Sequence, residues 1–119
     1  MKLICRTCHL EISKEVRELQ DTSLLSHEDG QEYIPEGFYI IDDNKMHLDL
    51  RDAIIIINLK DLVNSKRHSN RSRLNGCCGM DGLDGRNRLC LRNHEIGTEK
   101  SDCWMSHFIA LDPKMVRIE

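Results

Sequence analysis

The sequence predicts a small domain of the α+β class, centred on a β-sheet and spanning residues 1–119. Short runs at 38–41 and 53–57 are rich in β-branched and aromatic residues, which is the composition of strands. Other segments place apolar residues at i, i+3 and i+4, the spacing of short amphipathic helices. At 119 residues, the chain is close to the commonest domain size, so a single domain is the simplest organisation.

Composition and charge limit both the core and the location. Aromatic residues make up 4% and charged residues 31% of the chain, so the core must be aliphatic and small. A cross-link such as a bound metal ion would help to stabilise so small a core. No early apolar run follows a basic segment, and the run at 53–57 is too short to span a bilayer. We therefore expect a soluble, cytoplasmic protein.

The first half of the chain predicts two strands and one helix. Residues 2–4 have the composition of a short strand that leads into Cys5. Apolar residues at Ile12, Val16 and Leu19 predict an amphipathic helix over 13–20, and residues 21–37 read as loop. The run 38–41 predicts a strand that ends in a turn at 42–44.

The second half begins with the clearest strand, at 53–57. Its four consecutive isoleucines are apolar on both faces of the pleat, which predicts a central strand covered on both sides. Asn58 is a candidate N-cap for a short helix that carries Leu59, Leu62 and Val63. Residues 107–111 predict a strand, and 115–118 are expected to pair back on it as a hairpin.

Six cysteines and their spacing point to a metal ion. Cys5 and Cys8 form a Cys-x-x-Cys pair like that of a zinc knuckle, a turn whose backbone N–H groups point at the cysteine sulfurs. Without an export signal, metal ligation is favoured over disulfides. Cys90 is the best third ligand, because it follows a turn-forming loop as a second zinc knuckle would. The sequence thus predicts about one structural zinc per chain, held by a zinc-ribbon-like element that joins the two ends of the domain.

The fourth ligand is expected to be Cys77 or Cys78. Adjacent residues on an extended backbone point in opposite directions, so both thiols can hardly serve one tetrahedral ion. The other thiol is then a core residue or a ligand of a second ion. A vicinal disulfide that acts as a redox switch is a further alternative, since such strained bonds are easily reduced.

Two further pairs, Cys90 with His94 and Cys103 with His107, have a spacing that suits mixed ligands. Alternatively, Cys103 and Trp104 pack in the core, and the two histidines are surface or internally hydrogen-bonded residues. We favour that second interpretation for the histidines. His9 is also an extra ligand candidate, because it follows Cys8 where a zinc knuckle usually has glycine.

One segment, 64–75, carries basic residues without an acid. It could contact phosphate, but it lacks the aromatic residues that stack on bases, and the chain as a whole has a net charge of −3. Nucleic-acid binding is therefore disfavoured, and a solvated segment is the preferred interpretation. The basic residues are Lys66, Arg67, Arg71 and Arg73.

The two ends of the chain resemble a group of short, uncharacterised bacterial proteins. These proteins share an N-terminal Cys-x-x-Cys, a loop like the Gly-Cys-Cys-Gly-x-Asp-Gly at 76–82, and an Asp-Cys-Trp like that at 102–104. The resemblance covers 1–12 and 75–116 and implies a related fold and a bacterial origin, but no activity. Arg92 stands where those proteins often have a further cysteine.

No catalytic arrangement of residues is evident, so the leading hypothesis is non-enzymatic. It describes a zinc-binding interaction module whose metal is structural and which binds another macromolecule, with a protein favoured. The first alternative is a thiol- or metal-responsive regulator that uses Cys77 and Cys78. The second is a metal-dependent hydrolase with Glu95 or Glu99 as its general base.

Overall fold

The computed structural model describes residues 1–42 and 54–119. Within these ranges the chain forms short strands joined by turns and three 3₁₀ turns, at Thr22–Leu24, Leu59–Asp61 and Arg71–Arg73. The strands are β1 (Leu3–Cys5), β2 (Arg17–Glu18), β3 (Phe38–Asp42), β4 (Ile54–Ile57), β5 (Ser65–Arg67), β6 (Arg88–Cys90), β7 (Glu95–Lys100), β8 (Phe108–Leu111) and β9 (Val116–Ile118).

Seven of these strands form one sheet in the order β2-β3-β4-β8-β7-β6-β5. All neighbours in it are antiparallel except β2 and β3, which are parallel. Strands β1 and β9 form a separate antiparallel pair in which Leu3 lies opposite Ile118. The predicted pairing of 115–118 with 107–111 is therefore wrong, because both edges of β8 are already occupied by β4 and β7.

The isoleucine run is a central strand with an apolar layer on each face, as predicted. Ile55 and Ile57 contact one core cluster, together with Leu3, Cys5, Cys90 and other buried residues. Ile56 points to the opposite face, where it joins a second cluster that includes Tyr33 and Phe108. Since neighbouring residues of a strand alternate between faces, a single four-residue strand serves both layers.

No α-helix occurs in residues 1–42 and 54–119, so the α+β class is a correction: the described fold is mostly β-sheet. The segment 13–20 is extended, although Ile12, Val16 and Leu19 are buried as its spacing predicted. Backbone N–H groups of this segment donate to carbonyls on both sides of it, at Asp61, Met1, Gly37 and Tyr39. These tertiary hydrogen bonds outweigh a weak helical propensity.

Asn58 is a cap, as predicted, but of a 3₁₀ turn only. Its side-chain oxygen accepts a hydrogen bond from the Lys60 N–H at 2.8 Å, and the turn ends after Asp61. The predicted strands at 38–41 and 107–111 are confirmed as β3 and β8. The first residue of the run 53–57 and most of the expected turn at 42–44 lie outside the described residues.

The radius of gyration of 13.1 Å is close to the value of about 13 Å expected for one compact domain of this length. Where the structure describes the chain, none of its helical segments has the length and apolar character that a membrane crossing requires. Leu3 and Val116, on the ribbon of β1 and β9, pack in the same core cluster as Cys5 and Cys90. The two ends of the chain therefore meet beside the cysteines.

Candidate metal centres

Four potential ligand side chains converge at the end of β1 and at the turn between β6 and β7. We call this group the first cluster; its ligand atoms all lie within 4.8 Å of one another, and its members are Cys5, Cys8, Cys90 and His94. Cys5 and Cys90 are fully buried, while the other two residues are half-buried. The cluster thus sits at the edge of the hydrophobic core.

The turns that carry these residues aim backbone N–H groups at sulfur. The N–H groups of Thr7 and Cys8 donate to the Cys5 thiol, and the Arg92 N–H lies 3.4 Å from the sulfur of Cys90. His9 and Asn93 adopt positive φ angles of 61° and 71°, which reverse the chain after each turn. The expected knuckle geometry is therefore present, with non-glycine residues in the left-handed conformation.

Hydrogen bonding makes one of these thiols unusually acidic. Burial raises the pKa of Cys8, but hydrogen bonds from the Leu10 N–H, His94 and the neighbouring thiols outweigh burial and lower it to about 7. Burial raises the pKa of Cys5, against the N–H groups that donate to its sulfur. The lowered pKa of Cys8 favours its thiolate, which is the form of cysteine that ligates metal.

The distances in the first cluster fit a single tetrahedral ion. Zinc–sulfur bonds of about 2.3 Å place two sulfur ligands about 3.8 Å apart, and a sulfur and a nitrogen about 3.5 Å apart. The Sγ atoms of Cys8 and Cys90 are 3.8 Å apart. The Nδ1 atom of His94 lies 3.4 Å from the sulfur of Cys90 and 3.9 Å from that of Cys5.

A second group of potential ligands lies where the Gly-rich loop meets the segment after β7. We call it the second cluster; it consists of Cys77, Cys78, Asp102 and Cys103, whose ligand atoms also lie within 4.8 Å of one another. The Sγ atoms of Cys77 and Cys78 are 3.9 Å apart. All three cysteines are exposed, whereas Asp102 is buried.

Asp102 organises this loop through four hydrogen bonds. One carboxylate oxygen accepts from the Cys77 N–H at 2.8 Å and from the indole N–H of Trp104 at 2.9 Å. The other oxygen accepts from the Cys78 N–H at 2.8 Å and from the Cys103 N–H at 2.7 Å. These donors, led by the Cys78 and Cys77 N–H groups, hold the pKa of Asp102 well below its usual range.

Two glycines let the loop close around Asp102. A Cβ atom on Gly76 would lie 1.7 Å from the carbonyl oxygen of Gly79, and one on Gly79 would lie 2.3 Å from that of Ser101. This compact turn brings both vicinal sulfurs to one side. The expectation of opposite directions assumed an extended backbone, which the loop does not have.

The thiol of Cys103 has a raised pKa. Its hydrogen bond with Cys78, its desolvation and the nearby Asp102 together raise the pKa of this thiol to about 12. The alternative that Cys103 and Trp104 pack in the core is wrong, because Cys103 is exposed and Trp104 is 52% exposed. His107 is internally hydrogen-bonded, since its Nε2 atom lies 2.9 Å from the carbonyl oxygen of Asp102.

The structure therefore divides the five cysteines predicted as ligands between two clusters. Cys5, Cys8 and Cys90 lie together, but Cys77 and Cys78 belong to the second cluster and not to the first. His94 takes the fourth place that they were expected to fill. The sequence signal for this position was the spacing of His94 from Cys90.

Other candidate residues are engaged elsewhere. Glu95 lies 3.1 Å from His68 and 3.3 Å from Arg73, and Glu99 accepts a hydrogen bond from the Ser101 hydroxyl at 2.7 Å. Lys66, Arg67 and Arg71 are exposed, so three of the four basic side chains of 64–75 face solvent.

No protein-family model, curated protein or solved structure matches this chain. No family is thus identified, and the resemblance to short bacterial proteins stays a prediction. What the structure supports is two Cys-rich clusters that could hold metal ions, in a small, mostly β domain.

Proposed function

We propose that this chain is a non-enzymatic zinc-binding domain whose first cluster holds one structural zinc ion. The observation that carries the proposal is the convergence of three cysteines and one histidine from two distant parts of the chain, at distances that fit a tetrahedral ion. Four protein ligands close the coordination shell, which is typical of structural zinc sites. A catalytic zinc site would instead keep one coordination position open for water or substrate.

The position of the cluster explains what the metal would do. Cys5 ends β1 and Cys90 ends β6, and the two strands belong to different sheets. A zinc ion would therefore join the terminal ribbon to the seven-stranded sheet. Structural zinc contributes on the order of 10 kcal/mol of apparent binding energy, which is comparable to the stability of a whole domain.

Metal analysis of the full chain, purified without added zinc or a metal-affinity column, tests this proposal. We expect zinc in the wild-type protein, and we expect Cys90→Ser to lose the equivalent bound by the first cluster. Leu83→Ser is the matched control, because it alters an exposed side chain outside both clusters. Wild-type protein without zinc, or Cys90→Ser with the same zinc content as wild type, would contradict the proposal.

We further propose that the domain acts by binding a protein partner in a reducing compartment such as the cytoplasm. Large exposed apolar side chains flank both clusters: Leu91 follows Cys90, and Trp104 follows Cys103, each 52% exposed. Leu83, on the Gly-rich loop, is 70% exposed. Exposed aromatic and apolar anchors of this kind are more typical of protein than of nucleic-acid interfaces. The six free thiols favour a reducing compartment.

The exposure of the second cluster favours a second candidate function, that of a thiol- or metal-responsive regulator. A regulatory thiol must be accessible, and Cys77, Cys78 and Cys103 are all exposed.

The hydrolase alternative has no specific supporting observation. Glu95 and Glu99, its candidate general bases, are engaged in ion pairs and hydrogen bonds.

A further inference from the structure

We propose that the thiols of Cys77, Cys78 and Cys103 form a second metal centre that binds one zinc ion through three thiolates. Its fourth coordination position is open to solvent or to an added ligand. This centre is the place at which the metal-responsive regulator, the second candidate function above, would bind its metal ion. The two clusters share no residue, so the ligands of each can be replaced separately.

Asp102 belongs to the second cluster but is not the fourth ligand. An ionised carboxylate offers about four lone-pair positions on its two oxygens. The N–H groups of Cys77, Cys78, Cys103 and Trp104 occupy two positions on each oxygen. Asp102 therefore acts as a positioning residue that orients the three cysteines, and the metal is left with three sulfur ligands.

The packing of the folded loop, and not a metal ion in the second cluster, holds the thiols in place. Gly76 packs directly on Gly79, and Gly79 packs on Ser101, so that neither position has room for a side chain. The Met80 carbonyl also accepts a hydrogen bond from the Ser101 N–H at 2.8 Å. The resulting separation of 3.9 Å between the sulfurs of Cys77 and Cys78 is close to the ~3.8 Å of two thiolates on one tetrahedral zinc.

The second centre would differ from the first in its access to solvent. Its three cysteines are exposed, whereas two of the four ligands of the first cluster are fully buried. An exposed ion with three protein ligands completes its coordination from solution, and so it exchanges more readily than an ion in a closed shell. Binding releases the thiol protons to the solvent, and no electrons are transferred.

Trp104 provides a direct reporter of this centre. It is the only tryptophan of the chain, it adjoins Cys103, and its indole is hydrogen-bonded to Asp102. The probe is Co²⁺ alone, added to reduced, metal-free full chain, because Co²⁺ has the ligand preferences of zinc, absorbs visible light and quenches nearby tryptophan fluorescence. We expect two equivalents to bind, with one of them quenching Trp104.

Substitutions test whether the three thiols bind the Co²⁺ equivalent that quenches Trp104. We expect Cys103→Ser, and independently the double variant Cys77→Ser/Cys78→Ser, to lose one of the two equivalents and the quenching. Leu83→Ser is the matched control on the same loop and should keep both. Wild-type protein that binds one equivalent without quenching, or both variants retaining two quenching equivalents, would overturn the proposal.

The open position is tested with imidazole as the added ligand. It should shift the visible Co²⁺ spectrum of wild-type protein and leave that of Cys103→Ser unchanged, because the shell of the first cluster is closed. An unshifted wild-type spectrum would contradict the open position. If Co²⁺ binds to the second cluster while the first cluster stays empty, the result contradicts the proposed structural zinc but not the second metal centre. The two proposals can therefore fail separately.

Discussion

The sulfur atoms of Cys8 and Cys90 lie 3.8 Å apart although 82 residues separate them in the chain. Each thiol stands at a turn that follows a short strand, and the N–H groups of its turn point towards sulfur. This is the arrangement of two knuckles that face one ion. His94 ends the second of the two turns and lies beside the three thiols, so it is the fourth ligand in the proposed zinc site.

The first prediction concerns His94. Replacing it with alanine should weaken zinc binding by the first cluster roughly a hundredfold, as expected for the loss of one of four ligands. Competition with a chromophoric chelator measures this change. His27→Ala is the control, since His27 is exposed and contacts only the edge of the Tyr33 ring among the described aromatic residues. Equal zinc affinity in the two variants would remove His94 from the site.

The second prediction concerns His9, which the sequence marked as an extra ligand candidate. Its φ of 61° costs an ordinary residue about 1–2 kcal/mol, but costs glycine almost nothing. His9→Gly should therefore raise the free energy of unfolding by about 1 kcal/mol and leave the zinc content unchanged. Thr7→Gly, in the same turn but without a positive φ, should instead destabilise the protein. Loss of zinc in His9→Gly would mean that His9 is a ligand.

The third prediction concerns alkaline stability. Burial, and secondarily the charge of Asp42, raise the pKa of Tyr33 to about 12. A raised pKa contributes stability that is present below the unfolded value of about 10, and that is lost as the pH rises through the folded value. Between pH ~10 and ~12 the wild-type protein should lose about 2–3 kcal/mol that Tyr33→Phe does not lose.

Below pH ~10, where the Tyr33 hydroxyl is protonated in both the folded and the unfolded state, Tyr33→Phe should be at least as stable as wild type. The Tyr33 hydroxyl has no hydrogen-bond partner among the described residues, so the substitution breaks no hydrogen bond there. Unfolding by denaturant, measured for both proteins at several pH values, gives the comparison. Parallel pH dependence of the two proteins would show that Tyr33 does not titrate in this way.

Local composition predicted three strands of the seven-stranded sheet, β3, β4 and β8, but not β2, β5, β6 and β7. The four consecutive isoleucines of β4 are apolar on both faces of the pleat, which is typical of a strand that is buried on both faces. The segment 13–20 could not be predicted in the same way. Its burial follows from the spacing of Ile12, Val16 and Leu19, but its conformation depends on carbonyl groups of other segments, such as those of Asp61 and Gly37.

The candidate site shows the same division between local and long-range information. Cys5 and Cys8 were recognisable by their spacing, and Cys90 by the turn-forming loop before it. The assignment of Cys77 and Cys78 to a separate cluster depends on Asp102, about 25 residues further along the chain. Spacing alone does not reveal such a buried carboxylate, because its role lies in four hydrogen bonds that only the folded chain forms.

The fourth prediction concerns the basic segment. Arg73 is ion-paired with Glu95, which leaves Lys66, Arg67 and Arg71 as exposed charges. Any affinity for DNA or RNA should therefore be weak and vanish near physiological salt, with a log–log salt slope no steeper than about −3. Sub-micromolar affinity at that salt, abolished by changing these three residues to serine, would instead identify a nucleic-acid interface.

The most direct test of the structural role of zinc is thermal unfolding of Cys103→Ser before and after chelation. In this background the exposed second cluster is disabled, so the chelator removes metal only from the first cluster. The first cluster joins β1 to the end of β6, so metal-free protein should lose its cooperative transition, and added zinc should restore it. Metal-free protein that melts as cooperatively as the zinc-loaded form, at the same temperature, would contradict a structural zinc.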